Sequence, residues 1–137
     1  WTPFAVGLPY ALLATNILFL NQFPDCASDA LAGKRHWVVR LGPQRAAWMY
    51  VCLAGCAYAW WLGLLLAGRL PETMALALLP AALSGFAARE VLRYAAVPSR
   101  LAPAIRATII AAVAHAALAA AGLGVHAVAV ISFGEHP

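Results

Sequence analysis

Asp25 and Asp29 are the only aspartates in this chain of 137 residues, and Asn21 precedes the first of them by the same four-residue step. On a helix, a step of four turns each side chain by only about 40° and lifts it by about 6 Å, so Asn21, Asp25 and Asp29 fall along one face. Two carboxylates and an amide oxygen are hard ligands suited to Mg²⁺. That ion takes one or two protein carboxylates and completes its octahedron with water and phosphate oxygens. Gly33 can end the helix in a conformation other residues avoid, and Lys34, Arg35 and Arg40 then return cations toward the same place. Acids for a metal and bases for phosphate describe a diphosphate pocket. Pro24 interrupts the strip, because inside a helix it removes the bond to the carbonyl of Leu20 and kinks the chain. The shared face is therefore firmest from Asp25 onward.

These polar groups must be positioned by a chain that is 64% hydrophobic and 10% charged, against roughly 25% charged in an average soluble domain. The apolar runs are apolar on all sides, which a soluble amphipathic helix is not. Spanning the hydrocarbon core takes roughly 20 residues, and four runs are long enough. They cover about Phe4 to Phe23, Ala46 to Ala67, Met74 to Ala96, and Ala104 to Val125 with a possible extension toward Ile131. Pro43, Pro71 and Pro103 each stand at the start of a span, where the missing N–H does little harm. The expected fold is all-α, a polytopic membrane helix bundle with four transmembrane helices.

The net charge of +4 does not point to nucleic acid, because the basic residues cluster between apolar runs. Lys34, Arg35, Arg40 and Arg45 lie in or beside the first loop, and Arg89, Arg93, Arg100 and Arg106 in or beside the third. The second loop holds Arg69 and Glu72, and the tail holds Glu135 and His136. Cytoplasmic loops collect Lys and Arg. Loops one and three, and with them the aspartate strip, are expected on the cytoplasmic side of an inner or plasma membrane. Cys26, Cys52 and Cys56 match no zinc spacing and are expected to be small buried hydrophobes.

A carboxylate at the centre of a spanning helix is disfavoured by about 2.5 to 3.5 kcal/mol, a penalty that falls toward the interface. Ion pairs of Asp29 with Lys34, or Asp25 with Arg35, would explain the charges, but not Asn21 or the regular spacing. A small transporter or cation-binding subunit would place its carboxylates near the bilayer midplane, whereas these sit at the end of a span beside four basic residues. A CDP-alcohol-type transferase would need a denser aspartate motif of the D-G-x-x-A-R type, which is absent.

The segment Asn21 to Gly42, N-Q-F-P-D-C-A-S-D-A-L-A-G-K-R-H-W-V-V-R-L-G, resembles the second aspartate-rich motif of UbiA-type intramembrane prenyltransferases. Its pattern is N-x-x-x-D-x-x-x-D-x-x-x-G-K-x-T-x-x-x-R-L-G, and the likeness is greatest to the 1,4-dihydroxy-2-naphthoate prenyltransferases of menaquinone synthesis. The resemblance implies a bundle of about nine membrane helices around a central cavity. It also implies Mg²⁺ as cofactor, and transfer of an isoprenoid chain from prenyl diphosphate to an aromatic acceptor. By position, Asp25 and Asp29 would hold Mg²⁺ with help from Asn21, while Lys34, Arg35 and Arg40 would meet the diphosphate. The family's first aspartate-rich motif is not in this chain. Residues 1–137 are therefore expected to be the C-terminal part of one transmembrane domain whose N-terminal half is missing, and to be inactive alone. The usual Thr is replaced by His36, followed by Trp37, a pair expected at the membrane interface.

Other polar residues read as structural. Asn16 is about 140° from Asn21 around the helix and is expected to bond a neighbouring helix, as is a neutral His115. Glu90 is expected to pair with Arg89 or Arg93. Tyr58, Trp60 and Trp61 read as packing or lipid contacts, and the alanine-rich stretch Ala111 to Ala121 as a close helix contact.

Overall fold

The computed structural model describes residues 2–133, and among them there are helices and no strand. The elements are α1 (Thr2–Leu20), α2 (Gln22–Leu31), α3 (Trp37–Leu41), α4 (Pro43–Leu66), a 3₁₀ helix (Glu72–Leu78), α5 (Ala81–Tyr94), a 3₁₀ turn (Pro98–Arg100) and α6 (Ala102–Phe133). Four stretches are long and apolar enough to cross a membrane: Pro3–Leu20, Pro43–Leu66, Glu72–Tyr94 and Ala102–Ser132. The all-α polytopic bundle expected from hydropathy is the fold observed. Glu135 and His136 of the tail lie outside the described residues.

Two spans depart from their expected form, and proline causes both departures. The first ends at Leu20 rather than Phe23. Pro24 offers no N–H to the Leu20 carbonyl, and the chain turns at Asn21 into the short α2, with Asn21 near helical at φ −66°, ψ −15°. The third span, expected to be continuous, is a 3₁₀ helix joined to α5 through Leu79 and Pro80. In the i to i+3 pattern the N–H of residue 80 would serve the carbonyl of Ala77, and proline has none. His115 of α6 takes its place, with Nδ1 2.8 Å from the Ala77 oxygen. A lipid-buried carbonyl needs such a partner.

The same logic binds the other helices. Asn16 on α1 donates through Nδ2 to the Tyr50 carbonyl of α4 at 3.1 Å. Thr108 on α6 donates to its own Ala104 carbonyl, so the Tyr50 hydroxyl is left to donate to Thr108 Oγ1 at 2.6 Å. Trp61 Nε1 donates to the Met74 carbonyl at 3.1 Å, and Trp60 Nε1 to that of Ala5 at 2.9 Å. Asn16, His115 and the α4 aromatics are thus interhelical contacts, as expected. Cys52 and Cys56 are not buried as expected, because the side of α4 that carries them is exposed.

Apolar packing is divided along the bundle. At one end Phe19, Leu20, Phe23, Val38, Ala46, Tyr50, Val91 and Ala104 join α1 through α6 in one cluster. At the other end Trp61, Leu70, Met74 and Ala77 form a second. Near the second, α6 and the 3₁₀ helix approach so closely that a Cβ on Gly122 would lie 2.7 Å from the Thr73 carbonyl oxygen and 2.9 Å from Met74 Cα. Thr73 Oγ1 donates to the Gly122 carbonyl at 2.7 Å, which fixes that approach. Gly122→Ala is therefore expected to destabilise the bundle by about 1–3 kcal/mol through overpacking. Unfolding of the detergent-solubilised protein measures this, and unchanged stability would show that the two backbones can separate freely.

Candidate functional site

The aspartates stand on α2, a short helix hung on the end of the bundle by one apolar residue. Phe23 is buried, and its ring meets that of Phe19 on α1 edge to face, with centroids 6.0 Å apart. Cys26, one turn on, packs against the same cluster. Phe23 and Cys26 thus face the bundle, while Asn21, Asp25 and Ser28 are exposed and Asp29 is half-buried. Burial of the apolar side of α2 is what turns its acidic side outward.

The end of α2 then places Lys34. Gly33 adopts φ +76°, a left-handed conformation that residues with a Cβ resist. Its N–H bonds the Ala30 carbonyl at 3.2 Å, and the Lys34 N–H bonds that of Asp29 at 2.9 Å. These two bonds make a Schellman cap, which lays the Lys34 backbone over Asp29. Its side chain finishes the turn, with Nζ 2.8 Å from Asp29 Oδ1. The ammonium holds the Asp29 carboxyl below the usual aspartate range, and the carboxylate raises Lys34 in return. The alternative pair of Asp25 with Arg35 is not formed. Among the described residues, neither Asp25 nor Arg35 nor Arg40 has an ion pair.

His36 contributes what the residue types alone did not disclose. It is the N-cap of α3, and its Nδ1 accepts a long bond of 3.4 Å from the Val39 N–H. A neutral ring whose Nδ1 accepts carries its proton on Nε2, and Nε2 lies 3.2 Å from Asp29 Oδ2. The contact is within ion-pair reach but poorly aligned, so Nε2 is a buried donor without a well-formed hydrogen bond. The Asp-to-His spacing of seven residues gave no hint, since it crosses the cap at Gly33. Trp37 beside it is exposed, as a residue at a membrane interface would be.

The third loop comes to the same end of the bundle, where the Pro98–Arg100 turn packs against α2. Arg93 and Arg100 lie over the Tyr94 ring at 5.3 and 5.2 Å. Glu90 was expected to pair with Arg89 or Arg93, yet it forms no ion pair among the described residues. In this loop the Tyr94 ring draws the guanidinium groups of Arg93 and Arg100.

The model of the UbiA prenyltransferase family matches residues 1–102, which contain α1 to α5 and both basic loops. The chain belongs to the UbiA prenyltransferase family. It is an integral membrane protein of prenyltransferase type. No curated protein and no solved structure matches the chain. Against the UbiA pattern, His36 occupies the place of the usual Thr. Thr is itself a favoured N-cap, so His36 keeps the capping function and adds a ring nitrogen beyond it. The exchange need not disturb the course of the backbone from α2 into α3.

Replacing Lys34 with Gln is expected to return the Asp29 carboxyl upward toward its ordinary value. The wild-type pair contributes above that value and is lost as pH falls through the depressed one. Titration of the ¹³C-labelled side-chain carboxyl measures this. If Asp29 titrates identically in K34Q and wild type, the pair does not govern its charge.

Proposed function

We propose that this bundle end takes part in Mg²⁺-dependent transfer of a prenyl chain from a prenyl diphosphate to an aromatic acceptor, with 1,4-dihydroxy-2-naphthoate the foremost acceptor. In this reading Asp25, Asp29 and Asn21 hold the metal, and Lys34, Arg35 and Arg40 hold the diphosphate. The observation that carries it is the outward strip on α2, with one carboxylate exposed and the next closed by a lysine that a glycine cap returns to it.

The donor set suits Mg²⁺. Among the described residues no three His, Cys, Asp or Glu side chains gather into a cage. Two carboxylates and an amide leave coordination positions for water and phosphate, which is the habit of Mg²⁺. Bound there, the ion neutralises part of the diphosphate charge and so makes it a better leaving group.

The chain's own residues supply the remaining electrostatics. Lys34 is 67% exposed, and its flexible stem lets Nζ leave Asp29 Oδ1 for a phosphate oxygen. That move frees Oδ1. Arg35 and Arg40 offer planar forks that match phosphate oxygens. As the allylic C–O bond breaks, its electron pair leaves with the diphosphate, and these three cations stabilise the charge that develops. A ring carbon of the acceptor then bonds to the allylic cation, and the ring loses a proton. Exposed Leu31 and Trp37 keep α2 and α3 at the membrane surface, where a prenyl tail can remain in lipid. Every Lys and Arg except Arg69 lies in or beside the first and third loops, which favours the cytoplasmic face.

The complete gene product in membranes, with labelled prenyl diphosphate, Mg²⁺ and candidate quinone precursors, provides the test. Asp25→Ala and Asp29→Ala are each expected to reduce transfer by about 10²-fold or more. Unchanged transfer in both would remove the strip from the active site.

A further inference from the structure

Asp29 has a donor on each of its oxygens, and the two donors differ in how firmly they are held. Lys34 reaches Oδ1 on a long, exposed stem. His36 faces Oδ2 with a ring that is 18% exposed, and whose far side is tied to the Val39 N–H. An incoming phosphate can draw Lys34 away, whereas drawing His36 away would also uncap α3. We propose that His36 is a positioning residue for Asp29. It holds Oδ2 from the start of α3 so that Oδ1 is presented to the metal–diphosphate when Lys34 departs.

This inference rests on the reading of Asp29 as a metal ligand. Three observations converge on it. Nδ1 is committed to the cap, which selects the tautomer with a proton on Nε2. Nε2 is buried and lacks any other polar partner, and the nearest anionic atom is Asp29 Oδ2 at 3.2 Å. The present misalignment accompanies an Asp29 that is also drawn toward Lys34, and departure of the lysine leaves the carboxylate free to turn toward Nε2. Groups that hydrogen-bond a ligating carboxylate from behind fix its direction, and their loss weakens metal binding. A threonine at this position caps α3 equally well, but its side chain ends at the hydroxyl and places no donor where Nε2 stands.

Two substitutions separate the two ends of the ring. His36→Asn keeps a capping acceptor and removes the distal donor, whereas His36→Gln keeps a distal N–H and weakens the cap. Mn²⁺ binding in the presence of inorganic pyrophosphate, followed by the paramagnetic resonance of free Mn²⁺ on the complete gene product, reads the site without turnover. H36N is expected to bind Mn²⁺ about 10-fold more weakly with its thermal unfolding unchanged. H36Q is expected to recover most of that affinity while unfolding at a lower temperature. In the metal-free protein, the long-range ¹H–¹⁵N spectrum is expected to show the Nε2–H tautomer of His36. Wild-type Mn²⁺ affinity in H36N, or the Nδ1–H tautomer in the wild-type protein, would overturn the proposal. An Asp29→Asn control distinguishes the causes. If D29N loses Mn²⁺ and H36N does not, only the assignment of His36 fails. If D29N binds Mn²⁺ as wild type does, Asp29 is not a ligand and both readings fall.

Discussion

A peptide group in lipid must find its hydrogen bond within the protein, and proline removes one at Pro9, where Trp60 Nε1 serves the freed Ala5 carbonyl, and at Pro80 and Pro24, where the course of the helix changes. At Pro80 the break lies inside a span, so a side chain from another helix has to complete the backbone. His115 does so, and in doing so it fixes how α6 sits against the 3₁₀ helix. Its ring is packed edge to face on Trp61, whose indole N–H reaches the Met74 carbonyl one turn earlier in the same 3₁₀ helix. One missing N–H thus sets the contact of three spans. The close approach of Gly122 to Thr73 follows along the same seam.

At Pro24 the same defect has a different outcome, because it falls at the end of a span instead of within one. The helix is interrupted at Asn21, and α2 forms as an amphipathic piece on the bundle end, with Asp25 exposed and Asp29 half-buried. A continuous helix would have carried Asp25 and Asp29 on a rigid extension of α1. Phe23 lies one turn beyond Phe19 and meets its ring, so the acidic face is set by an apolar contact beneath it. Structure and proposed chemistry meet here. A prenyl diphosphate is apolar at one end and highly charged at the other, and a short helix at the membrane edge can serve both.

Charge is distributed with the same economy. Like charges at i and i+4 on a helix repel, and Lys34 offsets this by closing on Asp29. The connection is made by backbone geometry at Gly33 instead of by helix register. An exposed pair of this kind adds little to stability. Its value lies in being exchangeable, since a phosphate offers the lysine a stronger partner.

The sequence by itself determined the class of fold, the number of spans, and the identity of the strip from Asn21 to Arg40. Composition, apolar run length and the four-residue spacing are local properties that survive without tertiary information. It also announced the kink at Pro24 and the helix end at Gly33, since both follow from the covalent character of single residues. What it could not supply was which partner each polar group would choose. Glu90 has two arginines within helical reach and pairs with neither. His36 read as an interfacial neighbour of Trp37, yet the turn at Gly33 brings it to Asp29, seven positions earlier. Pro80 was silent because its consequence depends on a histidine 35 residues away. Such pairings are decided by the packing of α1 to α6, which brings distant residues within hydrogen-bond distance.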